Sequence, residues 1–218
     1  MKKITTIIWD LDGTLLNTLE DLTDSVNHML SIHNYPLRTI GEIRSFVGNG
    51  LAKLTERSLP DSVTTEEYET CLSEFKAYYK LHMQDKTGPY DGVLDVLKAL
   101  HDKGYRMAVV SNKADAAVKE LIPIYFGDLL PIAIGDMEGR EKKPAPDSVY
   151  EAMRQLGVTK EECIYIGDSD VDVNTARNSG IPGIAVLWGF RTKEQLEAVG
   201  ATTFAEKPEE LITLLEQM

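Results

Sequence analysis

Apolar and polar positions along the chain change their rhythm twice. Residues 4–9 form a short apolar run, and runs of the same kind return only after residue 104. Between them, from about residue 18 to residue 85, apolar residues recur every three or four positions, which is the spacing of amphipathic helices. Short strands that alternate with helices indicate a parallel sheet covered on both faces. The pattern therefore predicts an α/β protein with an all-helical segment inserted after its first strand.

The same pattern predicts the bounds of the strands and of the two domains. Strands are expected at residues 4–9, 107–110, 131–134, 163–166, 184–187 and 202–204. Thr39 and Glu42 have the spacing of a capping box, and Thr18 and either Thr64 or Thr65 are candidate N-caps of the longer helices. We expect a core domain from residues 1–16 and 87–218 and a helical insert from residues 17–86.

Composition and charge narrow the range of partners. The chain has 218 residues and a formal net charge of −12. Nucleic acids and anionic membranes bind to basic patches, so we expect neither as a partner. No segment reaches the ~20 apolar residues of a membrane span, and Cys71 and Cys163 form no CxxC pair. We expect a cytoplasmic monomer or homodimer with free thiols, which binds an anionic small molecule only through a local cation.

The unusual polar residues of the chain fall where predicted strands end. Because ligands bind at the carboxyl ends of the strands in open α/β sheets, these residues are expected to meet at one edge. They are Asp10, Asp12, Ser111, Asn112, Lys113, Lys142, Lys143 and Asp168. Carboxylates gathered there would repel one another unless a cation joined them, and hard oxygen ligands without histidine suit Mg²⁺.

Four stretches of the sequence resemble, in order, the four motifs of the haloacid dehalogenase superfamily. They are Asp10-Leu11-Asp12-Gly13-Thr14, Ser111-Asn112, Lys143-Pro144-Ala145-Pro146-Asp147 and Gly167-Asp168-Ser169-Asp170-Val171-Asp172. The helical insert resembles the cap that some members carry between the first and second motifs. The resemblance covers essentially the whole chain. It implies a Rossmann-like parallel-sheet core with a mobile helical cap and, as in most members, a Mg²⁺-dependent phosphatase or phosphomutase.

The resemblance also implies catalytic roles for individual residues. Asp10 would be the nucleophile that forms an aspartyl-phosphate, and Asp12 would protonate the leaving alkoxide and later deprotonate the attacking water. Ser111 and Asn112 would contact the phosphoryl group. Lys143 would balance its charge, although Lys142 competes for that role.

A second set of residues would bind the metal and the phosphate. The Mg²⁺ ligands are expected among Asp10, Asp12, Asp168 and Asp172, with the last of these either a direct ligand or an outer support. Gly13 and Thr14 would complete the phosphate-binding turn, with Gly13 permitting a close approach of backbone N–H to the phosphate.

The choice of substrate is predicted from shorter matches. Asp12 favours a phosphate ester, because a halide leaves without needing a proton. Residues 46–51 and 188–191 resemble phosphoglycolate phosphatases, so 2-phosphoglycolate is the favoured substrate, with Arg44, Gly48 and Asn49 as candidate contacts. A plain helix end with solvated charges explains that segment equally well.

Other activities remain open from the sequence. β-Phosphoglucomutase-like phosphoryl transfer and pyrophosphate hydrolysis are alternatives within the same superfamily. A non-enzymatic phospho-acceptor of the response-regulator type is a distant alternative, because such a module has no helical insert.

Overall fold

A computed structural model of the protein describes residues 3–218. Two compact units are present, one made of the residues up to Leu16 together with Pro89–Met218 and the other made of Asn17–Gly88. The hydrophobic pattern predicts boundaries after residues 16 and 86, whereas the second unit of the structure ends at Gly88. We refer to these parts as the larger unit and the smaller unit.

Eight strands and ten helices make up the described chain. The strands are β1 Thr6–Trp9, β2 Leu16–Asn17, β3 Gly88–Pro89, β4 Arg106–Ala114, β5 Ile132–Asp136, β6 Cys163–Gly167, β7 Gly183–Val186 and β8 Phe204–Ala205. The helices are α1 Leu19–Ile32, α2 Ile40–Phe46, α3 Leu51–Ser58, α4 Thr65–His82, α5 Val93–Asp102, α6 Asp115–Phe126, α7 Asp147–Leu156, α8 Asp170–Ser179, α9 Lys193–Ala198 and α10 Glu210–Glu216.

Six of the strands form one parallel sheet in the larger unit. Their order is β5-β4-β1-β6-β7-β8, and every pair of neighbours runs in the same direction. The helices of the larger unit connect these strands, as parallel pairs require. The predicted fold class, a Rossmann-like α/β core with an all-helical insert, is confirmed. The two short strands β2 and β3 pair with each other where the chain passes between the units.

The central strand explains why polar chemistry collects at one edge of the sheet. All four residues of β1 are buried. The carboxylate of Asp10 follows directly after the last residue of this strand. Trp9 lies opposite Val109 of β4 on one side and Ile166 of β6 on the other. Because these strands are parallel and in register, the residues that follow them leave the sheet at the same edge.

Strand β4 is longer than the hydrophobic pattern predicts. The predicted strand ends at residue 110, whereas β4 continues to Ala114 and includes Ser111, Asn112 and Lys113, all of which are buried. The pairing with β5 changes register between Val110 and Ala114, which is the signature of a bulge. These three polar residues are therefore held in a buried strand and not in a surface loop.

The helices of the smaller unit begin largely where the sequence indicates. Thr39 and Glu42 form a capping box at α2, and Thr64, rather than Thr65, caps α4 together with Glu67. Thr18 precedes α1 as predicted, but its side chain makes no capping hydrogen bond. Among residues 3–218, no helix combines the length and the apolar character that crossing a bilayer demands.

Candidate active site

Three buried carboxylates lie together at the edge of the sheet. Asp10 follows β1, Asp168 follows β6, and Asp172 stands in the first turn of α8; each offers an oxygen that lies within 4.8 Å of the others. Their exposed fractions are 7%, 0% and 2%. We call these three residues the acidic cluster.

The surroundings of the acidic cluster oppose full ionisation. Burial, reinforced by the charge of Asp172, raises the pKa of Asp10 well above its ordinary value. Burial followed by the same neighbour raises the pKa of Asp168 to about 7. Such crowding of acids is unfavourable without cations nearby, so the cluster has the electrostatic character of a cation-binding site.

Lys143 supplies one positive charge to the acidic cluster. Its Nζ lies 2.7 Å from Oδ1 of Asp10, 2.8 Å from Oδ1 of Asp172 and 2.9 Å from the hydroxyl oxygen of Tyr165. Burial alone would lower the pKa of Lys143, but the two carboxylates raise it well above its ordinary value. The ammonium group therefore stays charged, and all three of its N–H bonds have acceptors.

The structure separates the two neighbouring lysines. Lys142 points its Nζ at Asp136, at 2.7 Å, and its side chain is 46% exposed, whereas that of Lys143 is 3% exposed. Of the two competing candidates, Lys143 is thus the one that contacts the acidic cluster.

The amide of Asn112 fixes the backbone around Lys143. Its Nδ2 donates to the carbonyl of Lys143 at 3.0 Å, and its Oδ1 accepts from the N–H of Lys143 at 2.9 Å. These two hydrogen bonds connect the loop after β5 to strand β4. Asn112, expected from the family resemblance to contact the phosphoryl group, thus orients the lysine backbone in this structure.

Asp172 is fully engaged by the protein itself. Its Oδ2 accepts from the N–H and the hydroxyl of Ser169 in a capping box, and its Oδ1 accepts from Lys143 and from the hydroxyl of Tyr165. With two donors on each oxygen, Asp172 is poorly placed to bind a cation, whereas each oxygen of Asp168 accepts one hydrogen bond. The geometry therefore favours Asp172 as the outer support over Asp172 as a direct ligand.

The turn after β1 packs tightly against Asp168. Thr14, fully buried, donates its hydroxyl to Oδ1 of Asp168 at 3.0 Å, so it orients that carboxylate. Gly13 has a φ of +95°, and a β-carbon there would overlap the carboxylate of Asp168. The N–H of Gly13 donates to the carbonyl of Leu16 at 2.8 Å. This hydrogen bond closes the turn that follows β1.

Asp12 stands apart from the acidic cluster. Its carboxylate is not a member of the group whose oxygens meet within 4.8 Å; it lies beside Lys113, whose Nζ is 3.0 Å from Oδ1. The structure thus brings together three of the four carboxylates expected to bind a metal and separates the fourth. Ser111, beside Lys113 in β4, is buried, and its Oγ accepts from the N–H of Lys113 at 3.1 Å.

Sequence reasoning missed Tyr165 and gave no role to Lys113. Tyr165 has the position of an apolar strand residue, and only the structure shows that its hydroxyl reaches Lys143 and Asp172. Lys113 is among the polar residues expected at the sheet edge, but only the structure shows that it contacts Asp12.

The residues expected to contact the substrate from the insert belong to the smaller unit. Arg44 lies in the last turn of α2. Gly48 and Gly50 have φ values of 125° and 83°, and Gly50 caps α3, with Asn49 between them. A contact between these residues and a substrate stays a prediction.

The donor chemistry of the acidic cluster fits a hard divalent cation. Asp10 and Asp168 offer carboxylate oxygens, which Mg²⁺ prefers, and no histidine or cysteine belongs to the group that the described residues form. Oδ2 of Asp10 accepts no hydrogen bond from the described part of the chain, which leaves it available for a ligand or for chemistry.

Comparison with protein families gives one match along most of the chain. Residues 7–186 match the model of the haloacid dehalogenase-like hydrolases. This range includes all four motifs and the whole helical insert.

Similar proteins come from several bacteria. A phosphoglycolate phosphatase of Caulobacter vibrioides is 31% identical, with 96% of this chain and 92% of the relative covered. Phosphoglycolate phosphatase 1 of Pseudomonas aeruginosa is 30% identical, with 97% and 79% covered. Among solved structures, one from Lactobacillus delbrueckii subsp. bulgaricus, described as a candidate phosphoglycolate phosphatase, superposes with a TM-score of 0.93 at 36% identity and covers 98% and 99% of the two chains.

Proposed function

The chain belongs to the haloacid dehalogenase-like hydrolase family, and from this premise we propose that it is a Mg²⁺-dependent phosphatase whose substrate is 2-phosphoglycolate. One observation carries the proposal: a buried lysine holds one oxygen of Asp10 at 2.7 Å, while Oδ2 of Asp10 has no hydrogen-bond partner among the described residues. A carboxylate oriented by a fixed cation, with one oxygen unengaged, is the arrangement that a nucleophile requires.

Asp10 carries out the first step of the proposed reaction. Its unengaged oxygen attacks phosphorus, forming the P–O bond of an aspartyl-phosphate as the ester P–O bond breaks. Asp12 gives its proton to the departing alkoxide. In the second step water attacks the aspartyl-phosphate, Asp12 takes the proton from that water, and Asp10 and inorganic phosphate are released.

Asp10 and Asp168 would hold the metal ion, with Asp172 behind them. When bound, Mg²⁺ supplies positive charge that stabilises the oxygens of the transferring phosphoryl group. Thr14 and the N–H of Phe190, each bound to one oxygen of Asp168, fix the direction in which that carboxylate points.

The proposed substrate rests on the relatives and on the chemistry of the smaller unit. The curated relatives named above are phosphoglycolate phosphatases. Arg44 carries a positive charge that suits the carboxylate of 2-phosphoglycolate, and the half-buried Gly48-Asn49-Gly50 turn carries a side-chain amide.

A substrate comparison tests both the reaction and its specificity. We expect release of inorganic phosphate in the presence of Mg²⁺, with the highest kcat/KM on 2-phosphoglycolate, lower values on β-glucose 1-phosphate and pyrophosphate, and no release after EDTA treatment. Asp10→Asn, which keeps size and removes the nucleophilic charge, should abolish turnover. Preference for β-glucose 1-phosphate with glucose 6-phosphate as the product would favour the mutase instead. Turnover retained in Asp10→Asn would remove Asp10 from its role.

A further inference from the structure

A second buried lysine contacts Asp12. The side chain of Lys113 is 3% exposed and that of Asp12 is 17% exposed. The Nζ of Lys113 lies 3.0 Å from Oδ1 and 3.4 Å from Oδ2 of Asp12. One ammonium group therefore lies within hydrogen-bonding distance of both oxygens of the carboxylate, which holds that carboxylate close to Lys113.

The backbone of β4 aims Lys113 at Asp12. Strands β1 and β4 are neighbours, and Trp9 lies opposite Val109, so Asp12 and Lys113 both follow shortly after paired positions at the same edge. The change of register after Val110 marks a bulge, a device that redirects side chains. The hydroxyl of Ser111 accepts the N–H of Lys113 at 3.1 Å and holds the redirected backbone in place.

The two buried lysines contact different acids of the site. Lys143 contacts Asp10 and Asp172, whereas Lys113 contacts Asp12. A buried ammonium group is tolerated only when it is paired in good geometry, so the contact with Lys113 restricts where the carboxylate of Asp12 can lie.

We propose that Lys113 is a positioning residue that holds the carboxyl group of Asp12 where it can pass a proton to the leaving oxygen. The proposal rests on the proposed function, in which Asp12 is the proton donor. Lys113 keeps its own protons throughout: the proton moves from Asp12 to the alkoxide in the first step and from water to Asp12 in the second.

A leaving-group comparison separates positioning from plain charge neutralisation. Ethyl phosphate releases an alkoxide that needs a proton, whereas p-nitrophenyl phosphate releases an anion that leaves without one. General acid catalysis contributes about 10²–10⁴-fold. We therefore expect Lys113→Met to lose on the order of 10²-fold more kcat on ethyl phosphate than on p-nitrophenyl phosphate, with KM nearly unchanged. Lys113→Arg, which keeps a positively charged hydrogen-bond donor at this position, should recover most of the ethyl phosphate rate.

Lys142→Met is the matched control for Lys113→Met. Lys142 lies in the same half of the chain but pairs with Asp136 at the surface, so its loss should change neither rate. Equal losses of Lys113→Met on the two esters, or no rescue by Lys113→Arg, would overturn the proposal.

Crystal structures of the variants test positioning without any turnover. We expect the carboxylate of Asp12 to leave its place in Lys113→Met and to keep it in Lys113→Arg; an unmoved Asp12 in Lys113→Met would overturn the proposal. If the native protein releases phosphate neither from these esters nor from 2-phosphoglycolate, the proposed function fails, and these structures still decide whether Lys113 orients Asp12.

Discussion

At the scale of single residues, the site is a balance between buried acids and two buried lysines. Lys143 and Lys113 each approach a carboxylate within 3.0 Å. Two positive charges do not match the four carboxylates of Asp10, Asp12, Asp168 and Asp172. Asp168, which has no lysine partner among the contacts of the described chain, bears the consequence: its pKa is raised to about 7, mainly by burial. This imbalance yields a prediction about stability.

Replacing Asp168 by Asn should stabilise the metal-free protein. The raised pKa means that the folded state holds this proton more tightly than the unfolded chain does, so ionised Asp168 lowers the free energy of unfolding above about pH 7. The amide keeps an acceptor for the N–H of Phe190, and the hydroxyl of Thr14 can reverse to accept from the new NH₂ group. We expect Tm to rise at about pH 8, by about 2–4 °C for each kcal/mol gained.

The same substitution should remove the response to metal. Thermal unfolding with and without Mg²⁺ measures both effects: Mg²⁺ should raise the Tm of the native protein and leave that of Asp168→Asn unchanged, and turnover should be lost. Asp170→Asn is the control, since the side chain of Asp170, two residues away, is 44% exposed and pairs with Arg191 instead of joining the acidic cluster. A lower metal-free Tm in Asp168→Asn, or a retained response to Mg²⁺, would contradict this account.

At the scale of elements, most starts and ends follow from local chemistry. The strand before Asp10 is predicted by the apolar residues that precede it, and the capping box at α2 is predicted by threonine and glutamate three residues apart. At α4 the sequence predicts a threonine cap and leaves Thr64 and Thr65 open. Strand β4 is predicted too short because Ser111, Asn112 and Lys113 have the composition of a loop. Their buried polar groups form hydrogen bonds with residues far away in sequence, among them Asp12 and the backbone of Lys143. A local sequence pattern does not contain such partners.

The start of α4 offers a clean test of local chemistry. Thr64 accepts the N–H of Glu67 through its hydroxyl, whereas Thr65 is the first residue inside the helix. Thr64→Ala should therefore cost about 1 kcal/mol of stability, and Thr65→Ala should cost little. Urea unfolding of the two variants measures the difference, and hydrogen exchange should show faster exchange in the first turn of α4 in Thr64→Ala only. Equal effects of the two substitutions would show that the cap contributes nothing specific.

At the scale of the whole molecule, the buried core protects both thiols. Cys71 and Cys163 are each 0% exposed, one in the smaller unit and one in the larger. Burial raises the pKa of Cys71 and raises that of Cys163 to about 11. Each thiol is thus both inaccessible and protonated at neutral pH, and the thiolate is the form that reacts.

The folded protein should accordingly resist thiol reagents. We expect almost no reaction with Ellman's reagent at about pH 8, and reaction of both thiols once guanidinium unfolds the chain. Because one cysteine lies in each unit, mass spectrometry of the labelled peptides would show which unit opens first as denaturant is added. Rapid labelling of either cysteine in the folded protein would contradict the burial that the structure shows.

The three occupied hydrogens of Lys143 have a consequence for the second half of the reaction. In the resting protein this ammonium group donates hydrogen bonds to Asp10, Asp172 and Tyr165. No N–H of Lys143 is therefore left to donate to an arriving ester. Once Asp10 accepts the phosphoryl group as proposed, its carboxylate becomes the uncharged acyl group of an acyl phosphate. The ion pair between Asp10 and Lys143 then weakens. The lysine can then turn to the oxygens of the newly attached phosphoryl group. This change of partner would stabilise the covalent intermediate more than the entering substrate, so Lys143 would contribute mainly to the second step of the reaction.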